Sequence, residues 1–267
     1  MSGIKSICKN GGYDLAIAVH PSFSIAAGIW LGGVINRLGT GYRWYSFFFN
    51  LKHYEHRRES IKHETEYNLG LLEELDCKSS VKKMPHLVVS NDELESVKFK
   101  LESEGIPADK NFIVIHIPSM GSAKVWSDEN FVKLIKMILN YENKAYNIIL
   151  TGTKRDIPQV KSLEKKAAES AVNYKRLFTI FDLNLKELAA LIKLSKIFIG
   201  NSSGPIHIAA AVDTFVIGLY SPVKEESPVR WGPLTEKKKV FVPDDNSGDV
   251  MNSIKPEAVF EFIKNNF

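Results

Sequence analysis

Three short runs of small and polar residues carry the groups best able to hold an anion. In Gly200-Asn201-Ser202-Ser203-Gly204-Pro205-Ile206-His207 an apolar run stops, two hydroxyls follow, and a small-residue segment resumes. Pro205 suits the first turn of a helix, where its missing N–H costs nothing. Ser202, Ser203 and Gly204 before it can offer hydroxyls and backbone N–H groups to a phosphate at the helix N-terminus. Gly204 lets a ligand approach the backbone closely. The same residues also make an ordinary serine cap, and His207, one turn in, suits a packed histidine as well as a site residue.

The second run, HIPSMGSAKVWS at 116–127, sets Ser119, Gly121 and Ser122 in a loop, with Lys124 as a point charge for phosphate. A solvated surface lysine is the plain alternative for Lys124, and Trp126 is expected to pack under the loop. In the third run, Thr151-Gly152-Thr153-Lys154-Arg155-Asp156, the acid either accepts from ribose hydroxyls or caps the following helix. The densest basic segment, Lys52 to Lys62 with Arg57 and Arg58 inside it, reads as a solvated helix face or as a pocket for an anionic acceptor. Dinucleotide, Walker, zinc-protease and nucleophile-elbow signatures are all missing, as is any histidine or carboxylate spacing suited to a metal. No metal and no cofactor are therefore expected.

The elements that must position these runs alternate. Apolar runs at 13–19, 112–117, 147–150, 177–180, 197–199 and 215–219 read as strands. Helices are expected at 23–31, around Tyr67, Leu71 and Leu75, and from a Ser90–Glu93 capping box to Gly105. Further helices follow Ser127, lie near 160–171, begin at the Asn184–Glu187 box, run over 205–212, and close the chain at 256–267. Strands separated by helices of this length imply an α/β fold with parallel sheets covered on both faces. Ligands in such sheets sit beyond the carboxyl ends of the strands, where the small-residue turns fall.

The chain has 267 residues, 44% of them hydrophobic, enough for two domains with cores of their own. A net charge of +4 without a concentrated patch argues against a nucleic-acid partner. Two cysteines and an N-terminus without an apolar core point to a reducing cytoplasm. The longest apolar-rich window, 25–35, is too short to cross a bilayer.

HIPSMGSAKVW, LTGTKRD and above all FIGNSSGPIHIAAAVDTFVIGLYSPVKEESPVRWGP resemble the heptosyltransferase family, glycosyltransferase family nine. YDLAIAVHPS resembles a strand of that family's N-terminal domain, so the match runs from about Tyr13 to the C-terminus. The resemblance implies a GT-B-like fold of two Rossmann-like domains. These would be a partial acceptor-side domain at 1–94, a nucleotide-sugar-binding domain at 95–252, and a C-terminal helix at 253–267 packing back toward the first. It implies an inverting, metal-independent transfer of heptose from ADP-heptose onto a lipopolysaccharide-core or related anionic glycan acceptor. By resemblance Ser119 and Met120 fall on the phosphate-contacting loop, Lys124 matches the phosphate lysine, and Asp156 lies near the ribose-binding acid. Ser202, Ser203 and Gly204, with His207 beyond them, match the turn that holds the diphosphate and sugar, and Leu183 lies near the adenine-side loop. Lys52, Arg57 and Arg58 are the acceptor-side candidates. Peripheral contact with the inner face of the cytoplasmic membrane accompanies such an acceptor.

Two departures follow. Many members carry Asp where this chain has Ser202, which leaves the choice of donor open. Members also begin with a strand and a Gly-rich turn bearing the Asp that acts as base, and nothing here matches it. His20, just past the first strand, is the substitute at the proper end of the sheet, whereas Asp14 starts the strand. The expectations are thus a transferase lacking the N-terminal part, or a non-catalytic nucleotide-sugar-binding remnant. In a split transferase a partner chain would supply the missing segment. A Rossmann-like oxidoreductase is disfavoured by the absent GxGxxG.

Overall fold

The computed structural model describes residues 1–77, 84–108, 111–117, 124–169, 171–243 and 250–267. They form two compact units, Met1–Lys82 and Lys83–Phe267.

In the first unit α1 (Ser2–Gly11), β1 (Leu15–Ile17), α2 (Phe23–Leu31), β2 (Asn36–Thr40), β3 (Leu51–His53) and α3 (Glu64–Gly70) follow one another. The three strands are parallel in the order β1-β2-β3. Helices α1 and α2 meet through glycines, since a Cβ on Gly28 would lie 2.9 Å from that of Ile4 and one on Gly32 2.4 Å from that of Cys8. That close packing stabilises α1, a helix that its own glycine-rich sequence does not announce. Cys8, Ala18, Ala26, Ile29, Val34, Tyr45 and Phe49 form the core.

The second unit runs α4 (Asn91–Ser103), β4 (Phe112–His116), α5 (Asp128–Leu139), β5 (Asn147–Thr151), α6 (Ile157–Ala168), β6 (Leu177–Ile180) and α7 (Leu185–Leu194). It continues with β7 (Ile197–Asn201), α8 (Gly204–Ala211), β8 (Phe215–Leu219), α9 (Pro228–Trp231), β9 (Lys238–Phe241) and α10 (Pro256–Asn266). Six parallel strands lie in the order β6-β5-β4-β7-β8-β9. Helices α5, α6 and α10 cover one face through Phe131, Ile135, Leu163, Val259 and Ile263. Helices α4, α7 and α8 cover the other through Val97, Leu101, Leu191, Ile206 and Ala209. Near-continuous apolar strands such as Phe112–His116 are what two covered faces require.

The capping boxes expected at Ser90–Glu93 and Asn184–Glu187 form as read. Two features differ from the sequence reading. Helix α4 begins at Asn91 and packs on α7, so the second unit starts ahead of 95. The C-terminal helix, expected as a separate piece at 253–267, belongs to the second unit. Its apolar face, Val259 and Ile263, is built into the core of the second unit, on α5. None of the described helices is long and apolar enough to cross a membrane.

Candidate functional site

Because every strand of the second sheet points the same way, the loops after β4, β5, β6, β7 and β8 all emerge at one edge. The register sets His116 between Thr151 and Gly200 at that edge. His116 Nδ1 lies 3.0 Å from Thr151 Oγ1, and burial holds the imidazole down at about 4 while the Asp156 carboxylate pulls it up. It is a neutral hydrogen-bonding group at pH 7.

The turn after β7 has the character that its residue types suggest. Ser203 stands at the N-cap of α8, but its hydroxyl donates to the Asn201 carbonyl at 3.2 Å and caps no helix amide. The ordinary serine-cap alternative is therefore not what forms. Gly204 opens the helix with Pro205 behind it, and a Cβ on Gly204 would meet nothing within 4 Å. The first amides of α8 are thus left without a side-chain partner, beside an uncrowded glycine. Tyr220, buried one position past β8, donates its phenol proton to the Trp231 carbonyl at 2.8 Å. Burial raises the Tyr220 pKa, so the phenol stays protonated. His207 is half-buried in the first turn of α8.

Asn201 is 1% exposed, and among the described residues neither carboxamide atom has a hydrogen-bond partner. It closes the row Ile197, Ile199, Asn201 on the face of α5 and α6. Sequence reasoning assigned it no role, because an asparagine in a turn signals only a turn. The strand alternation that buries Ile197 and Ile199 was the available clue.

Around the turn, Lys124 is exposed, and its backbone N–H donates to Glu226 Oε2 at 3.1 Å, tying the loop after β4 to that after β8. Trp126 packs beneath, its Nε1 donating to the Ile254 carbonyl at 2.9 Å and its ring edge-on to Phe131. Asp156 is 3% exposed, and its carboxylate accepts from the Thr153 N–H. It closes a capping box on the single turn Lys154–Asp156, while at the N-cap of α6 its side chain caps no helix amide. Lys154 pairs with Asp182 at 2.9 Å, joining the loops after β5 and β6, and Leu183 beyond them is half-buried against the core. Ser119 and Met120 lie outside the described residues.

In the first unit His20 is exposed past the carboxyl end of β1. Lys52 is half-buried on β3 and Arg58 is exposed. Arg57 is heavily engaged within its own unit. Its guanidinium donates to Glu64 at 2.8 Å, Asn68 at 3.0 Å, and the carbonyls of Val19 and Tyr67 at 3.2 and 3.1 Å. Its geometry is that of a clamp between β1 and α3. Arg57→Ala should lower stability by about 2 kcal/mol, seen as an earlier urea midpoint for the first unit. Among the described residues no group of three or more His, Cys, Asp or Glu is placed to hold a metal.

Comparison with known proteins agrees with this geometry. The model of "Glycosyltransferase family 9 (heptosyltransferase)" matches residues 2–255. A putative glycosyltransferase of Haemophilus influenzae is 30% identical over 234 residues, 84% of this chain and 65% of its own length. The chain thus spans just under two thirds of that relative. The solved E. coli ADP-heptose lps heptosyltransferase II is 19% identical with a TM-score of 0.77, covering 99% of this chain and 80% of its own. E. coli heptosyltransferase WaaC with ADP gives 0.68 at 18% identity, covering 100% and 78%. These likenesses establish the expected α/β fold with parallel, GT-B-like sheets.

Proposed function

Since the chain belongs to glycosyltransferase family 9, we propose that it transfers a sugar, a heptose from ADP-heptose, to a lipopolysaccharide-core or related anionic glycan. The observation that carries the reading is the α8 N-terminus, which lacks a side-chain cap and opens onto free space at Gly204. There the amides and dipole would take the donor's diphosphate, with the Ser202 and Ser203 hydroxyls around it. Lys124, Ser119 and Met120 would line the phosphate from the loop after β4, His207 would flank it, and Leu183 would face the adenine. Asp156, whose carboxylate accepts from the Thr153 N–H, would lie near the ribose. Two similar solved structures, an ADP-heptose lps heptosyltransferase and a heptosyltransferase with ADP, support an adenine nucleotide.

In the transfer an acceptor hydroxyl oxygen attacks the anomeric carbon as the bond to the diphosphate oxygen breaks, inverting that centre. The hydroxyl proton passes to a general base, for which we assign His20, and the electron pair leaves on ADP. Lys124 and the α8 amides would stabilise the departing charge, and the step uses no metal. Lys52 and Arg58 would hold the anionic acceptor, whose lipid anchor brings the enzyme to the inner face of the cytoplasmic membrane.

Calorimetric titration with ADP, UDP and GDP, without metal, tests the donor half. ADP should bind selectively, and Lys124→Ala should weaken it about tenfold. Failure of the folded chain to bind any of the three would overturn the phosphate-cradle reading. Selective ADP binding without turnover would favour a non-catalytic nucleotide-sugar-binding protein, or one completed by a partner chain.

A further inference from the structure

The first unit displays an aromatic surface that the transfer chemistry does not use. Trp44 stacks on Phe23 with ring centroids 5.1 Å apart, Phe23 lies 5.9 Å from Phe48, and Phe48 lies 5.5 Å from Trp30 and 4.3 Å from Phe47. The rings form one unbroken ridge, yet Trp44 is 72% exposed, Phe47 64%, Trp30 51% and Phe23 44%. Leu31 and Ile35, which follow Trp30, are exposed as well. Contiguous apolar surface of this kind marks a binding face.

The charge around the ridge selects its occupant. Between Asp14 and Glu55 the chain has no acidic residue, while it carries Arg37, Arg43 and Lys52. Arg43 is exposed and adjoins Trp44 in sequence. Exposed tryptophan and phenylalanine with arginine close by suit the boundary between headgroups and acyl chains, where rings enter the apolar layer and cations meet anionic headgroups. We propose that this ridge is the docking surface of the protein for an anionic lipid bilayer. The proposal deepens the membrane contact proposed above and does not rest on donor binding or transfer.

Vesicles of phosphatidylcholine, alone or mixed with phosphatidylglycerol and free of any glycolipid, test it with the full chain. The protein should float with the anionic vesicles and leave them as salt rises. Brominated acyl chains should quench part of its tryptophan fluorescence. Paired Trp44→Ser and Phe47→Ser substitutions should weaken the binding about tenfold or more, and Arg43→Glu should weaken it on anionic vesicles. Phe99→Ser, an equally exposed ring on α4 of the second unit, should change nothing. Because all the altered side chains are exposed, the far-ultraviolet circular dichroism should be that of the parent. The proposal fails if the parent does not float with anionic vesicles or if the paired variant floats as well as the parent. It also fails if sedimentation shows ridge-dependent dimers. None of these outcomes depends on ADP titration, so the donor site can fail while the ridge stands, and the reverse.

Discussion

Replacing Ser203 with aspartate should raise the thermal stability of the protein while lowering its affinity for ADP about a hundredfold. The two effects share one cause. Ser203 occupies the N-cap of α8 with its hydroxyl turned to the Asn201 carbonyl, leaving the helix amides without a side-chain cap. A carboxylate at that position accepts from those amides and meets the positive end of the helix dipole, worth about 0.5–1 kcal/mol. The same carboxylate then stands where the diphosphate is proposed to bind and repels it. Differential scanning calorimetry and ADP titration on one preparation check both signs. A general loss of structure would lower stability and affinity together, so the opposed signs are diagnostic. Undiminished ADP affinity in this variant would place the phosphate elsewhere.

Acid should destabilise the protein through His116 by about 3 kcal/mol between pH 6.5 and 4. Burial holds the folded imidazole at about 4, whereas an unfolded histidine titrates near 6.5. Below 6.5 the unfolded chain takes up a proton that the folded chain refuses. The contribution is therefore complete above pH 6.5 and is lost progressively as pH falls toward 4. Urea unfolding of the parent and of His116→Gln at pH 7 and pH 4 isolates it. Glutamine offers Thr151 a hydrogen-bond partner but cannot titrate, so the variant should lose about 3 kcal/mol less than the parent. Equal losses in both proteins would mean that His116 is open to water.

Much of the second unit was legible because local signals and burial agree there. The run Phe215–Leu219 and the capping boxes at Ser90 and Asn184 each state one structure at every level, and each forms. Elements with conflicting signals were missed. Strand β9 is half lysine, the composition of a guarded sheet edge, and reads as a charged loop. Strands β2 and β3 are short and mixed, and their pairing is not written in either segment alone. Helix α1 owes its place to glycines in α2 some twenty residues on. At the site, the hydroxyls and glycine of the α8 turn could be read from residue type and spacing. The bond from the Lys124 N–H to Glu226 could not, since it joins two loops through the tertiary fold. Asp156 was legible as polar and useful, but only geometry distinguishes a cap from a contact. Arg57 is a similar case, as charge in a sequence does not say whether it has been claimed.

The floor beneath the loop after β4 bears on how the chain is made. Trp126 donates to Ile254, 128 positions later, and the Ser127 N–H donates to the Asn252 side chain, 125 positions later. Helix α10 then covers α5 from the last residues of the chain. A nascent polypeptide therefore carries Trp126 and the apolar face of α5 unsheltered while translation continues. At roughly 10 residues per second that interval exceeds about ten seconds, long beside the time a helix needs to form. That end of the sheet is thus completed only once the segment around Asn252 and Ile254 has been made, and chaperones have that window in which to meet it.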